Sequence, residues 1–269
     1  MLSNPQLANC NNRSSLPKTN PKYGEPTDWF SNRIINQYGY SGLSFDFFVD
    51  WNDISLITNI VWYKLITKKA GFKVSTISDE IIKFVGEDCL RNYLKFLVKH
   101  RLILRFLIIP DDQDFSDDKS IVGFVEYDSA LQPDIRIVDL AGLKDEIKTK
   151  SGGVVNIGDK GLIYGTSCLE CALSKTDSLY PGDMDLILFE NETSLPAGIL
   201  EFKKHNLSTS LTEQKLSNYY PHPDKRKYDR LNIFRNKFFL TYRSSFYTIP
   251  PILRMITWWQ SISEKLTMF

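Results

Sequence analysis

Two apolar runs of strand length, GDMDLILFE (182–190) and GILEFKKH (198–205), are joined through a short polar segment that carries Pro196. Turn-forming residues between two such runs are the composition of a hairpin. Side chains alternate along a strand, so Asp183 and Asp185 share a face, and Glu201 and Lys203 share a face while Phe202 points away. A hairpin would therefore gather carboxylates and a lysine at one end of a sheet. A charge inside an apolar strand is unfavourable unless it is paired or bound to a metal.

That combination suits phosphodiester hydrolysis. Magnesium takes hard oxygen ligands, is held by one or two carboxylates, and keeps its other positions for water and phosphate. A bound metal acidifies water and neutralises charge on the transition state, and a nearby ammonium can hold the attacking water or balance that charge. An acid two residues before a lysine is not specific by itself, since Asp117/Lys119, Glu146/Lys148 and Glu213/Lys215 have the same spacing. The strand context and the partner acid distinguish Glu201 and Lys203. The alternative is an ordinary ion pair on an exposed hairpin face.

PGDMDLIL followed by ILEFKK resembles the PD-(D/E)xK, or restriction-endonuclease-like, nuclease superfamily, over roughly residues 160–245 in the order helix, strand, strand, helix (SLTEQKLSNYY, 210–220), strand (KFFLTYR, 237–243). The resemblance implies metal binding by Asp185 and Glu201, with Lys203 completing the catalytic set. A further acid on the preceding helix, Glu170 in TSCLECALSK, would support the metal directly or through water. Asp183 competes with Asp185 for the metal role. The implied cofactor is Mg²⁺, with Mn²⁺ as a substitute. Gln214 and Tyr219 are one residue too far apart for the Gln-x-x-x-Tyr of some exonuclease-like members, which leaves the subfamily open.

The stretch 214–243 carries eight Lys or Arg against two Asp, with tyrosines interleaved. Lys and Arg bind phosphates through counterion release, and tyrosines can stack on unpaired bases. Lys204, Gln214, Lys215, Lys225, Arg226, Lys227 and Arg230 are the candidate nucleic-acid contacts, and a solvated helix face is the plain alternative.

The first half reads differently. Residues 1–26 are rich in Asn, Ser, Pro and Lys and read as a flexible arm. Trp29 to Phe48 suggests a helix and a turn. Residues 52–100 read as mainly helical: Ile54, Ile57, Ile60, Val61, Leu65 and Ile66 recur near the helical period, followed by helices over 78–85 and 88–100. LILRFLII (102–109) and IVGFVEY (121–127) read as strands, and residues 129–150 as a connection ending in a charged helix. Three helices and a strand pair are the order of a winged helix, a shape that reads DNA; a plain helical domain with a hairpin is the alternative. An acidic loop over 111–118 argues against phosphate contact there.

A chain of 269 residues with net charge +1 gives no bulk sign of a nucleic-acid partner, so any basic surface must be local. No run approaches the ~18 apolar residues of a membrane span. Cys10, Cys89, Cys168 and Cys171 are expected as reduced thiols in a cytoplasmic protein, with Cys168 and Cys171 as small buried side chains. No second ligand pair supports a zinc site.

The expectation is an α/β (α+β) protein with a small mixed central sheet flanked by helices. It has an arm over 1–26, a mainly helical substrate-binding domain over 27–145 and a nuclease-like domain over 146–269. Its expected function is that of a metal-dependent nuclease, a DNA endonuclease of restriction, repair or mobile-element type. The partner is nucleic acid, DNA in preference to RNA, and a homodimer is compatible with double-strand cutting. The rival is a nucleic-acid-binding or interaction protein that keeps a nuclease-like fold without turnover.

Overall fold

The computed structural model describes residues 1–17, 30–53, 57–154, 161–178, 180–202 and 225–238. The elements are β1 (Ala8–Asn9), α1 (Asn32–Ile35), β2 (Tyr40–Val49), β3 (Ile57–Thr67), α2 (Val74–Val85), α3 (Glu87–Lys99), β4 (Ile103–Pro110), β5 (Ile121–Tyr127), β6 (Pro133–Asp139), α4 (Leu140–Lys150), β7 (Tyr164–Gly165), α5 (Cys168–Leu173), β8 (Gly182–Glu190), β9 (Pro196–Leu200) and α6 (Lys225–Phe238).

One seven-stranded sheet runs β6-β5-β4-β3-β2-β8-β9. Every neighbouring pair is antiparallel except β3 and β4. The coarse expectation of a mixed α/β protein holds, with a larger sheet than the second half alone could supply. β2 and β8 are direct neighbours, so a boundary near residue 145 runs through one sheet.

Each sheet face has its own core. On one, Phe45, Phe47, Val61, Leu65, Phe106, Ile108 and Val125 pack with Ile77 and Ile81 of α2, Leu94 and Leu97 of α3, and Leu231 and Phe234 of α6. On the other, Phe48, Trp62, Leu107, Ile109 and Phe124 pack with Leu140, Leu143 and Ile147 of α4 and Leu169 and Leu173 of α5. Apolar stripes at helical spacing on α2 and α3 explain why these two helices are legible in the sequence.

Three expectations for the first half are corrected. Residues 57–67 form the central strand β3 instead of a helix. ITNIVWYKLIT is rich in β-branched and aromatic residues, and its two faces feed both cores, Val61 and Leu65 one way and Trp62 the other. The helix-and-turn expected before Phe48 is the short α1 followed by the ten-residue β2. The connection expected at 129–150 contains an edge strand, β6, before α4. Two α-helices, α2 and α3, and a single 3₁₀ turn (Lys69–Gly71) lie between β3 and β4, and the first of the three helices expected ahead of the strand pair is the strand β3 instead.

The arm is corrected over residues 1–17. β1 pairs antiparallel with β7, and Ser3 bridges Ile66. The Arg13 guanidinium donates to the carbonyls of Gln6 (2.9 Å), Gly165 (2.5 Å) and Thr166 (3.1 Å). Cys10 is bonded to Cys171 as a disulfide, with Cα atoms 5.4 Å apart. That corrects the expectation of four reduced thiols; Cys89 and Cys168 remain free. Gly165 is needed at this contact, because a Cβ there would lie 2.8 Å from Cys171 Sγ and 3.2 Å from Cys10 Sγ. No helix among the described residues is long and apolar enough to cross a membrane.

Candidate functional site

The hairpin expected from the sequence is present. β8 and β9 pair antiparallel with Leu186 opposite Leu200 and Ile187 opposite Ile199. One step further along that register are Asp185 and Glu201, the latter just past the end of β9. The main-chain N–H of Phe202 donates to Asp185 Oδ2 at 2.6 Å, which ties the chain after Glu201 to the opposite carboxylate.

A bulge aims Asp185. Between the pairs Leu43–Ile187 and Phe45–Met184, β2 uses one residue, Ser44, while β8 uses two, Asp185 and Leu186. The Ser44 hydroxyl donates to the Asp185 carbonyl oxygen at 2.5 Å. An extra residue bends a strand and re-aims its side chains.

The hairpin turn is held from the side by α3. Lys95 Nζ donates to the carbonyls of Asn191 (3.1 Å) and Glu192 (2.7 Å), Lys99 Nζ to that of Thr193 (2.5 Å), and His100 Nε2 lies 3.2 Å from the Ser194 carbonyl. A carbonyl only accepts, so this contact places the His100 proton on Nε2.

The residue that joins the acids is Lys227 of α6. Its ammonium is 2.8 Å from Glu201 Oε1, 3.0 Å from Asp183 Oδ2 and 3.3 Å from Asp185 Oδ1. Exposure grades across the three carboxylates: the side chains of Glu201, Asp185 and Asp183 are 2%, 18% and 55% exposed. Burial pushes the Asp185 carboxyl up, Lys227 opposes that, and the charges of Glu201 and Asp183 add to it. The ammonium groups of Lys227 and Lys64 hold Asp183 below the usual carboxylate range. Burial would lower Lys227, but the three acids raise it.

Helix α6 is seated by Tyr228, Leu231 and Phe234, all buried. The Phe234 ring lies 5.6 Å from Phe45 and 5.1 Å from Phe47. Arg226 and Arg230 reach over the Trp51 ring at 5.6 and 5.1 Å. Arg230 also crosses the start of β8, where a Cβ on Gly182 would lie 2.5 Å from its Cδ. Burial, with the Arg226 charge adding, lowers the Arg230 guanidinium to about 10. Arg230 is therefore a packed residue of the site wall, whereas Lys225 is exposed and pairs with Asp229 in the same helix.

A second charge pair, absent from the sequence reading, continues the polar row across the sheet. Asp46 on β2 stands opposite Asp183 on β8, and Lys64 Nζ on β3 is 3.1 Å from Asp46 Oδ1. Lys64 also lies 5.3 Å from the Tyr180 ring centroid. Burial raises Asp46 to about 7, with Lys64 opposing and Asp183 adding. A lone acid in YSGLSFDFFV and a lone lysine in ITNIVWYKLIT were the available signals, because such charges need partners in a sheet interior.

Glu170 is on α5, as expected. Its carboxylate accepts from the Thr166 N–H at 2.5 Å and the Thr166 hydroxyl at 2.6 Å, while Ser167 Oγ accepts from the Glu170 N–H at 3.1 Å. This resembles a capping box at a helix start. Its charge acts on Asp46, Lys64 and Tyr180. The structure thus brings together Asp185, Glu201, Lys227 and Asp183, and binds Glu170 to its own helix start. Lys203, Lys204, Gln214 and Lys215 lie outside the described residues, as does the helix expected over 210–220; of the strand expected over 237–243, Lys237 and Phe238 instead end helix α6 and the rest lies outside the described residues.

Among the described residues, no three His, Cys, Asp or Glu side chains already stand as a metal-holding group. The carboxylates at Lys227 are spaced for an ammonium at 2.8–3.3 Å. Mg²⁺ takes oxygens at about 2.0–2.1 Å, so each would close in by about 1 Å. Their chemistry fits such an ion: hard oxygens that already converge on one cation. No protein-family model, curated protein or solved structure matches the chain.

Proposed function

We propose that the chain is a Mg²⁺-dependent nuclease that hydrolyses phosphodiester bonds, with DNA preferred over RNA and Mn²⁺ able to replace Mg²⁺. The observation that carries this reading is the convergence of Asp183, Asp185 and Glu201 on one cationic group beside the β8–β9 hairpin. Its fold would be a restriction-endonuclease-like core within the larger sheet; helix α5 and strands β8 and β9 follow the order of the first three elements of that resemblance.

In this reading Asp185 and Glu201 hold the metal, with Asp183 as a third acid at its exposed side. A bound divalent ion would supply acidified water and charge neutralisation on the phosphate. The rest is the work of the chain. The Phe202 N–H and the Ser44 hydroxyl fix the Asp185 side chain and backbone. The clamp from α3 keeps the hairpin in register. Lys227 brings a cation to where phosphate charge would build, and Lys203 is the lysine that the motif resemblance assigns to the same task. Lys225 and Arg226 extend a basic edge along which a polyanion would be bound. Glu170 is a supporting acid at the Lys64 side of the row.

The test is incubation of the purified protein with circular and linear DNA, single- and double-stranded, and with RNA, in Mg²⁺ and in EDTA. Cleavage that needs the metal supports the reading; no cleavage of any substrate rejects it. A second reading, a nucleic-acid-binding or interaction protein without turnover, is favoured by Lys227 itself, which already satisfies the acids as an ion-pair network. In that case the protein would bind nucleic acid or a partner with no metal requirement.

A further inference from the structure

We propose that the three-carboxylate pocket has a built-in occupant: Lys227 Nζ holds the cation position in the metal-free protein, and a divalent ion enters by displacing it. This rests on the reading of the pocket as a metal site, and adds to it a competition between a side chain of this protein and the metal.

Three carboxylates near one another repel, and a buried charge without a counter-charge is strongly unfavourable. Glu201 is 2% exposed and Asp185 18%, so water alone screens them poorly. An ammonium within 3.3 Å of all three resolves the conflict. The hairpin acids can thus be assembled before any metal arrives.

The same geometry shows what moves. The α6 backbone is anchored by Tyr228, Leu231 and Phe234 in the core, and by Arg230 packed over Gly182. Lys227 itself is 24% exposed, and a lysine ammonium rides on a flexible four-carbon stem. Displacement is therefore a swing of one side chain toward solvent with the helix in place. A swung-out Lys227 joins Lys225 and Arg226 on the basic edge. A divalent ion entering the pocket would then turn an internal counter-ion into a free cation beside the polyanion, so metal loading and substrate attraction would be linked.

A static ion pair makes the opposite prediction about metal, which makes the proposal testable without cleavage. Binding of Mn²⁺ alone is measured by calorimetry on the full-length wild type, Lys227→Met and Lys227→Met/Asp185→Asn. The proposal expects Lys227→Met to bind at least about tenfold tighter than wild type, and the double variant to lose that gain. Lys227→Met should also melt lower than wild type without metal and recover with Mn²⁺. If wild type binds Mn²⁺ and Lys227→Met binds no tighter, displacement is wrong while the metal site stands. If neither protein binds Mn²⁺ at millimolar concentration, the metal reading falls and displacement with it. Should Lys227→Met not fold, the wild type answers alone. Its Lys227 ammonium resonance should be protected from exchange in EDTA and lose protection at saturating Mg²⁺. A resonance that stays protected in Mg²⁺ overturns the proposal.

Discussion

The N–H of Phe202 donates to Asp185 Oδ2 at 2.6 Å, so the main chain that carries Glu201 is fastened to the acid facing it across the hairpin. The two acids are thereby held as one unit, and groups that act as a unit lose activity together. Asp185→Ala and Glu201→Ala are each expected to lower Mg²⁺-dependent cleavage by roughly 100-fold or more. Asp183→Ala, at the exposed edge, should cost less. Cleavage rates on one substrate, with circular dichroism to verify folding, check this. An active Asp185→Ala beside an inactive Asp183→Ala would exchange their roles.

The basic edge should divide into contact and wall. Lys225→Gln with Arg226→Gln is expected to weaken nucleic-acid binding and lower the log–log salt slope by about one unit per lost phosphate contact. Arg230→Gln should chiefly lower the melting temperature, because its side chain is packed over Gly182 and Trp51. Binding isotherms at several salt concentrations, with melting curves, separate the two. An unchanged slope in the Lys225/Arg226 variant would make that face merely solvated.

The hairpin acids were legible in the sequence because β8 and β9 are bounded by turn residues and carry charges that an apolar run does not tolerate unpaired. The rest was hidden for identifiable reasons. β3 is covered on both faces, so the period-two signal is lost, and its isoleucines also fit a helical spacing. β2 was obscured by its many aromatic residues, by Gly42 within it and by Gly39 just before it. The join between β2 and β8, which makes a single sheet of the two halves, spans more than a hundred residues of sequence and leaves no local mark. Lys227 looked like one basic residue among eight; only the seating of Tyr228, Leu231 and Phe234 turns it toward the acids. The Cys10–Cys171 bond was hidden for the same reason, with a sequence separation of 161.

That disulfide joins the N-terminal strand to the helix carrying Glu170. Closing so long a loop restricts the unfolded chain, and its loss is expected to lower stability by about 2–5 kcal/mol. Melting of wild type with and without reductant, and of Cys10→Ser/Cys171→Ser, measures the effect. Equal melting temperatures in all three would show that the β1–β7 pairing and the Arg13 bonds hold the arm unaided.

The α3 clamp should give the hairpin a pH dependence. Burial lowers the His100 pKa, the Lys99 charge adds to this, and the Ser194 carbonyl opposes it. The folded state therefore holds this proton less tightly than the unfolded chain. Its stabilising contribution is full above the unfolded value of about 6.5 and declines as pH falls below it. His100→Gln should flatten the fall in melting temperature between about pH 7 and pH 5 relative to wild type. An identical slope in the variant would assign the acid sensitivity elsewhere.

Wild type and Glu201→Gln, purified identically, are compared on the same DNA in Mg²⁺ and in EDTA. A metal site built on Glu201 gives cleavage by wild type in Mg²⁺, none in EDTA, and a loss of roughly 100-fold or more in a folded Glu201→Gln. Cleavage that persists in EDTA, or that is equal in the two proteins, would contradict it.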